Sequence, residues 1–300
     1  MLLRLWLWPS PLAVRSKSVS GSDAFVDCTF RRHLPIQLAQ TTLRRAYVSI
    51  PASRKCYGGF TMPFFERGDI RIYYETHGEG FPVLALAAGG MRSAMPFWDK
   101  APWNPVRQLA HRYQVITMDQ RNAGQSTAPI SGSDNWHDYR DDQLALLDHL
   151  GIDRFHVAGM CIGGSFIMEL IEAAPERIAS AVMLQPIGFE GNRQAYFDIF
   201  DSWAAELKAA HPTVTDADWT QFRQTMFGSE DLLFNLTEDH VAKCPAPLLV
   251  LMGKDIYHPE ATSRKIVELA PQAALVEHWK EPEHVAAASA AVAEFLAKHS

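Results

Sequence analysis

Cys161 is the residue whose surroundings best suit covalent chemistry. It stands in the stretch FHVAGMCIGG that begins at Phe155, where a short apolar run meets a glycine-rich turn; Ile167, Leu170 and Ile171 then recur at helical spacing. The pattern predicts a strand, a tight turn and a helix. Gly159 and Gly163, two residues either side of the thiol, let strand and helix pass close together and leave Cys161 in a strained, exposed turn. At the start of a helix, backbone N–H groups and the helix dipole favour negative charge, so this thiolate should form more readily than that of a free cysteine. A nearby imidazole would complete its activation. Cys28, Cys56 and Cys244 lie far apart, with neither metal-ligand pairing nor the density of a disulfide scaffold, and read as small buried hydrophobes in a reducing compartment. Ser165, one helical turn on, cannot occupy the turn.

The elements that must position the thiol follow from the same periodicities. Residues 70–75, 82–87, 113–118, 155–160, 179–184, 247–252 and 274–279 read as strands, most of them apolar throughout. Helical periodicity fills residues 136–150, 259–269 and 285–298. This alternation implies an α/β fold: a mostly parallel sheet with helices on both faces and ligands gathered at the carboxyl ends of the strands. It breaks between about 187 and 243, where helical spacing and aromatics such as Phe200, Trp203, Trp219 and Phe222 predict a small helical lid. Most of these rings should pack the lid onto the body, and a few should line an apolar pocket.

The turn around Cys161 resembles the nucleophile elbow G-x-S-x-G of the α/β-hydrolase superfamily, with cysteine in the serine position. The resemblance covers residues 64–298 and includes the chain order nucleophile, acid, histidine. It implies that Asp255, in Gly253-Lys254-Asp255-Ile256-Tyr257-His258-Pro259, is the acid, with Glu190 as the alternative. It implies that His284, in Lys280-Glu281-Pro282-Glu283-His284, is the histidine, with Glu283 where the family commonly has glycine. On that reading His258 opens the following helix, while His278 and His156 are strand residues. The oxyanion donors would be the N–H of Ile162 and, within Ala88-Gly89-Gly90-Met91, that of Gly90 or, second, Met91. Asp119 to Ser126 resembles the family's D-x-R-G-x-G-x-S stretch, with Asn122 for the first glycine, and reads as a structural turn. A cysteine elbow followed by Gly163-Gly164 is similar to the dienelactone hydrolase branch, which opens enol-lactones through a Cys-His-Asp triad; the rest of the chain is more similar to the general esterase and carbon–carbon hydrolase branch.

The resemblance thus implies a hydrolase without cofactor or metal, acting on a small, largely apolar ester, lactone or thioester through Cys161, His284 and Asp255. The alternatives are an acyltransferase on the same triad and a non-catalytic small-molecule receptor on the same fold. At 300 residues and 47% hydrophobic, the chain can bury one large core. Residues 1–61 carry nine basic and two acidic residues, a charge of +7, so the remainder of a chain of net charge −6 carries −13. An acidic body argues against nucleic acid as a partner. The apolar start is broken by Arg4, Pro9 and Pro11, short of the roughly 20 residues a transmembrane helix needs. Residues 1–61 are therefore expected to be a poorly ordered leader, either upstream translation before Met62 or a targeting segment, ahead of one hydrolase domain at 62–300. The location would be cytoplasmic, or an organelle if the leader targets.

Overall fold

Apolar runs flanked by turn residues become the middle of a sheet when helices cover both of its faces, and the chain behaves this way. The computed structural model describes residues 64–300; the expectation for the leader at 1–61 lies outside the described residues. The strands are β1 (Phe64–Arg67), β2 (Ile70–His77), β3 (Phe81–Leu86), β4 (Tyr113–Met118), β5 (Phe155–Met160), β6 (Ile178–Leu184), β7 (Leu248–Leu251) and β8 (Ala273–Val276). They form one eight-stranded sheet in the order β1-β2-β4-β3-β5-β6-β7-β8. The β1–β2 and β2–β4 pairs are antiparallel and the remaining pairs parallel. The order turns back around β3, between β4 and β5, so the crevice at their carboxyl ends is where this architecture places ligands.

Side chains alternate across the sheet. Leu84 and Leu86 of β3 enter the core on one face, while Val83 and Ala85 enter the core on the other. The first core is completed by α2 (Trp136–His149) and α3 (Gly163–Ala173), the second by α1 (Pro105–Leu109) and α8 (Pro282–His299). Helix α2 starts where its sequence says: the Asn135 side chain accepts from the backbone of the first turn while Asp138 reaches back to the N-cap N–H. Each fully buried large side chain contributes roughly 1.5–3 kcal/mol, which makes these two cores the main stabilising term.

Between β6 and β7 lie α4 (Arg193–Leu207), α5 (Asp216–Phe227) and α6 (Glu238–Ala242), the region expected to form the lid. Its rings do chiefly what packing asks of them: Phe200, Trp203, Trp219 and Phe222 form edge-to-face pairs and are buried. The lid is also tied down by polar contacts. Trp203 Nε1 donates to the carbonyl of Asn122, and Arg92 clasps Glu206 of α4 through two hydrogen bonds at 3.0 and 2.8 Å.

Asn122 sits in the turn after β4 with φ of 57°, a left-handed conformation that asparagine tolerates better than most residues. Both carboxylate oxygens of Asp119 accept backbone N–H groups, from Met95 and Gln125, at 2.8 Å each. That aspartate is occupied in holding two loops.

The structure departs from expectation mainly at the C-terminal end. Strand β8 stops at Val276, so His278 and Trp279 lie beyond it, and the last helix starts at Pro282 and therefore takes in His284. The strand β1, not read from the sequence, forms a short hairpin with β2.

Candidate active site

The expected strand, turn and helix around Cys161 are present, and the turn is strained. Cys161 has φ of 61°, in the left-handed region that costs a side-chain-bearing residue on the order of 1–3 kcal/mol. The surroundings hold it there. Cys161 N–H donates to Leu184 at 3.0 Å, and its carbonyl accepts from Gly164 and Ile187 at 3.0 and 3.2 Å. The flanking glycines are required by contact: a Cβ on Gly159 would stand 2.6 Å from the carbonyl oxygen of Gly163. On Gly164 a Cβ would stand 2.6 Å from Pro186.

The imidazole brought to this sulfur is that of His258, and the expectation for His284 is corrected. His258 is 8% exposed and lines the same cavity as Cys161. Its Nδ1 contacts both oxygens of Asp255, at 2.7 and 2.9 Å. Its Nε2 is buried without a hydrogen-bond partner among the described residues, and Cys161 contributes to holding the imidazole protonated. Catalytic hydrogen bonds commonly tighten only when substrate is bound.

Asp255 takes the place expected of it beside an imidazole, although the imidazole is a different one. Its Oδ1 also accepts the backbone N–H groups of Tyr257 and His258, each at 3.0 Å. Glu190, the alternative acid, is exposed and lies away from this group, lining a different surface depression.

Local sequence explains the exchange of histidines. Pro259 forces the residue before it out of the helical region, so His258 cannot open α7 (Glu260–Leu269), for which Pro259 is the N-cap. The loop turns back on Asp255, with His258 N–H donating to the Asp255 carbonyl and the reverse, at 3.1 and 3.2 Å. Gly253 makes room for it: a Cβ there would lie 2.4 Å from the carbonyl oxygen of His258. His284, by contrast, follows Pro282 in the first turn of α8, where Glu281 is the N-cap. Its ring packs against His278, with centroids 5.2 Å apart. The signal for His258 was present in the Gly253, Asp255 and Pro259 spacing, which marks a closed loop followed by a helix.

Charge in the pair follows from these contacts. Burial pushes the Cys161 thiol up, but His258 and the N–H groups of Gly89 and Ile162 outweigh it, and the thiol lies below its ordinary value. Burial likewise pulls His258 down, and Asp255 and the sulfur overcome it, leaving the imidazole raised to about 9. Asp255 is held below the usual carboxylate range: burial raises it, and His258, the Tyr257 N–H and Lys280 lower it by more. Both shifts run in the direction that favours a thiolate beside an imidazolium.

The backbone N–H groups of Gly89 and Ile162 help to lower the Cys161 thiol, and Ile162 is the residue expected to supply the first oxyanion donor. Gly90 and Met91, expected to supply the second donor, lie in the short 3-10 turn Gly90–Arg92, and Gly90 lines the same cavity as Cys161. The cavity over Cys161 is about 370 Å³ and largely apolar, walled by Phe97, Ile187, Tyr196, Ile199 and Phe227. Tyr196 of α4 also donates to the carbonyl of Tyr257, and Asn192 donates to that of Ile256 at 2.6 Å, so the lid is fastened to the loop that carries His258.

The sheet order and the strained turn after β5 agree with comparison to known proteins: the family described as alpha/beta hydrolase fold matches residues 86–279. The chain belongs to the α/β hydrolase fold family. RutD of Azorhizobium caulinodans, assigned by name to carbamate hydrolysis, is 39% identical over 123 residues, 41% of this chain. The match spans 44% of that relative, so the chain aligns with less than half of its length. The carboxylesterase YbfK of Bacillus subtilis is 24% identical over 238 residues, covering 68% of this chain and 77% of that one. The enol-lactonase of Burkholderia xenovorans LB400 superposes with a TM-score of 0.58 at 18% identity, covering 78% of this α/β hydrolase chain and all of the other, a likeness of fold. Among the described residues no helix is long and apolar enough to cross a membrane.

Proposed function

We propose that this α/β hydrolase cleaves small, largely apolar carboxylic esters, lactones or thioesters through Cys161, His258 and Asp255, by way of an acyl-enzyme and without a cofactor. The observation that carries this reading is that one apolar cavity is lined by a cysteine on a strained turn, by a buried imidazole held by a carboxylate, and by Gly89 and Ile162. A structural cysteine requires none of these.

In the proposed cycle the Cys161 thiolate attacks the substrate carbonyl carbon, and the carbonyl electron pair moves onto oxygen. The N–H groups of Gly89 and Ile162 stabilise that oxyanion. As the tetrahedral intermediate collapses, the bond to the leaving group breaks and the His258 imidazolium supplies its proton, leaving an S-acyl cysteine. His258, now neutral, takes a proton from water as the water attacks the thioester. Collapse releases the acid and restores thiolate and imidazolium, while Asp255 keeps the ring oriented throughout.

Carbamates join the candidate substrates on a specific ground, the likeness over 123 residues to a protein named for carbamate hydrolysis. Acyl transfer uses the same intermediate and differs only in whether an alcohol or amine replaces water. The test is a pre-steady-state burst of nitrophenol from nitrophenyl acetate and butyrate, followed by mass spectrometry of the trapped intermediate. A mass increase of one acyl group on the peptide containing Cys161, absent in Cys161→Ala, is expected. Turnover that persists in Cys161→Ala would overturn the proposal, and a receptor would show neither burst nor turnover.

A further inference from the structure

On the other side of the β8–α8 connection three metal-ligating side chains converge that the proposed chemistry does not use. His278, Glu281 and His284 each offer a ligand atom, and these atoms all lie within 4.8 Å of one another. His278 comes from the segment after β8, Glu281 is the N-cap of α8, and His284 lies three residues later in its first turn. A spacing of three on a helix puts Glu281 and His284 on one face, and the chain's turn brings His278 over the same face.

We infer that His278, Glu281 and His284 form a site for a divalent transition metal of the zinc type. Two imidazoles and one carboxylate are a ligand set that borderline ions such as zinc, cobalt and nickel accept, and hard magnesium does not. Glu281 makes no side-chain capping bond at the helix start it occupies. The two rings lie 5.2 Å apart at 30°. Ligand atoms about 2.0–2.2 Å from a tetrahedral metal stand about 3.3 Å apart, so an inward swing of roughly an ångström or two suffices for side chains this exposed.

The surrounding backbone is already fixed, which spares the metal much of the ordering cost. Trp279, between His278 and Glu281, is buried and its Nε1 donates to the carbonyl of Met252 at 2.9 Å. The amide of His284 donates to the carbonyl of Glu281 at 2.8 Å. Lys280 in the same segment faces Asp255 at 4.0 Å. A metal would therefore clamp the strand end to the helix start behind the loop that holds His258.

The experiment uses the full chain carrying Cys161→Ser, which removes the competing thiol that shares a cavity with His258, after chelator treatment and dialysis. Cobalt(II) titration should give visible d–d absorption saturating at one equivalent, displaced by zinc(II) and unaffected by millimolar magnesium. His278→Ala and His284→Ala should each weaken binding at least tenfold, and Glu281→Gln less, with circular dichroism showing that each variant is folded. Unchanged cobalt affinity in the folded His278→Ala/His284→Ala double variant, or displacement by magnesium as effective as by zinc, would overturn the inference. The readout is spectroscopic, so it is independent of whether any ester is hydrolysed.

Discussion

Two connections at the carboxyl edge of the sheet each carry a histidine, and the sheet treats them differently. The β7–α7 connection closes on itself through Asp255, buries His258 and brings its ring to the Cys161 sulfur. The β8–α8 connection is only five residues long, from Glu277 to Glu281, and runs straight into a helix whose first turn holds His284. Chain order admits both, since each follows Asp255. Reach favours the first: a short connection ended by a proline-initiated helix leaves no loop to carry an imidazole back over the strand ends.

The comparison is broken or sharpened most strongly by exchanging the histidines' fates. With chelator present, His258→Ala should lower kcat/KM on an activated ester by about 10³-fold or more, near the loss in Cys161→Ala, because residues that act as a unit fail together. His284→Ala should lower it by no more than about threefold. Equal losses at both positions would return the catalytic role to the β8–α8 connection. Asp255→Asn should fall between, at about 10²-fold or more, since the ring loses both its orientation and the charge that stabilises its protonated form.

The sequence made the fold and the sulfur readable because both rest on local pattern. Strand β4 was expected at 113–118 and is found there, and the glycines around Cys161 announced a turn whose strain is visible in its positive φ. The helical insertion between β6 and β7 was legible from the interruption in strand-helix alternation and its surplus of rings. What the pattern left unread was which imidazole faces the thiol, because that depends on the length of two loops after folding. Which of Gly89 and Gly90 supplies the second oxyanion donor was also not legible, because the glycine pair alone does not say where the strand ends and the 3-10 turn begins. The proline next to His258 was a usable signal.

The pH dependence separates two ways the buried histidine could work. If thiolate and imidazolium form the resting pair, kcat/KM rises with pH as the pair forms and falls as the imidazolium is lost near about 9. If a neutral imidazole instead withdraws the thiol proton during attack, the rate stays high above that value. A pH–rate profile from pH 5 to 10.5 with an ester of good leaving group decides between them, the descending limb supporting the ion pair.

Stability carries the same signature with its sign fixed by linkage. A histidine raised from 6.5 to about 9 contributes stability fully below 6.5 and loses it as pH climbs through 9. Asp255, held below 3.8, contributes above that value and loses its share as pH falls through its lowered value. The melting-temperature gap between wild type and His258→Gln should therefore be widest around pH 4–6.5 and close by pH 9.5. A gap that widens with pH would contradict the raised imidazole.

Gly253→Ala tests the closed loop without touching a reacting group. Its Cβ would stand 2.4 Å from the carbonyl oxygen and 2.6 Å from the Cβ of His258, so the backbone must move. A loss of about 1–3 kcal/mol in stability is expected from the forced contact. A tenfold or greater fall in kcat should accompany it, because a misplacement near one ångström is costly to proton transfer. The smallest effect belongs to Lys280→Met. The lysine faces Asp255 at 4.0 Å and is partly exposed, and ion pairs of that kind contribute less than about 1 kcal/mol. Removing it should move the acid limb of the stability profile upward by a fraction of a pH unit and leave kcat within about twofold. A larger fall in kcat would mean that the β8–α8 connection supports the acid more than its geometry requires, narrowing the contrast between the two connections.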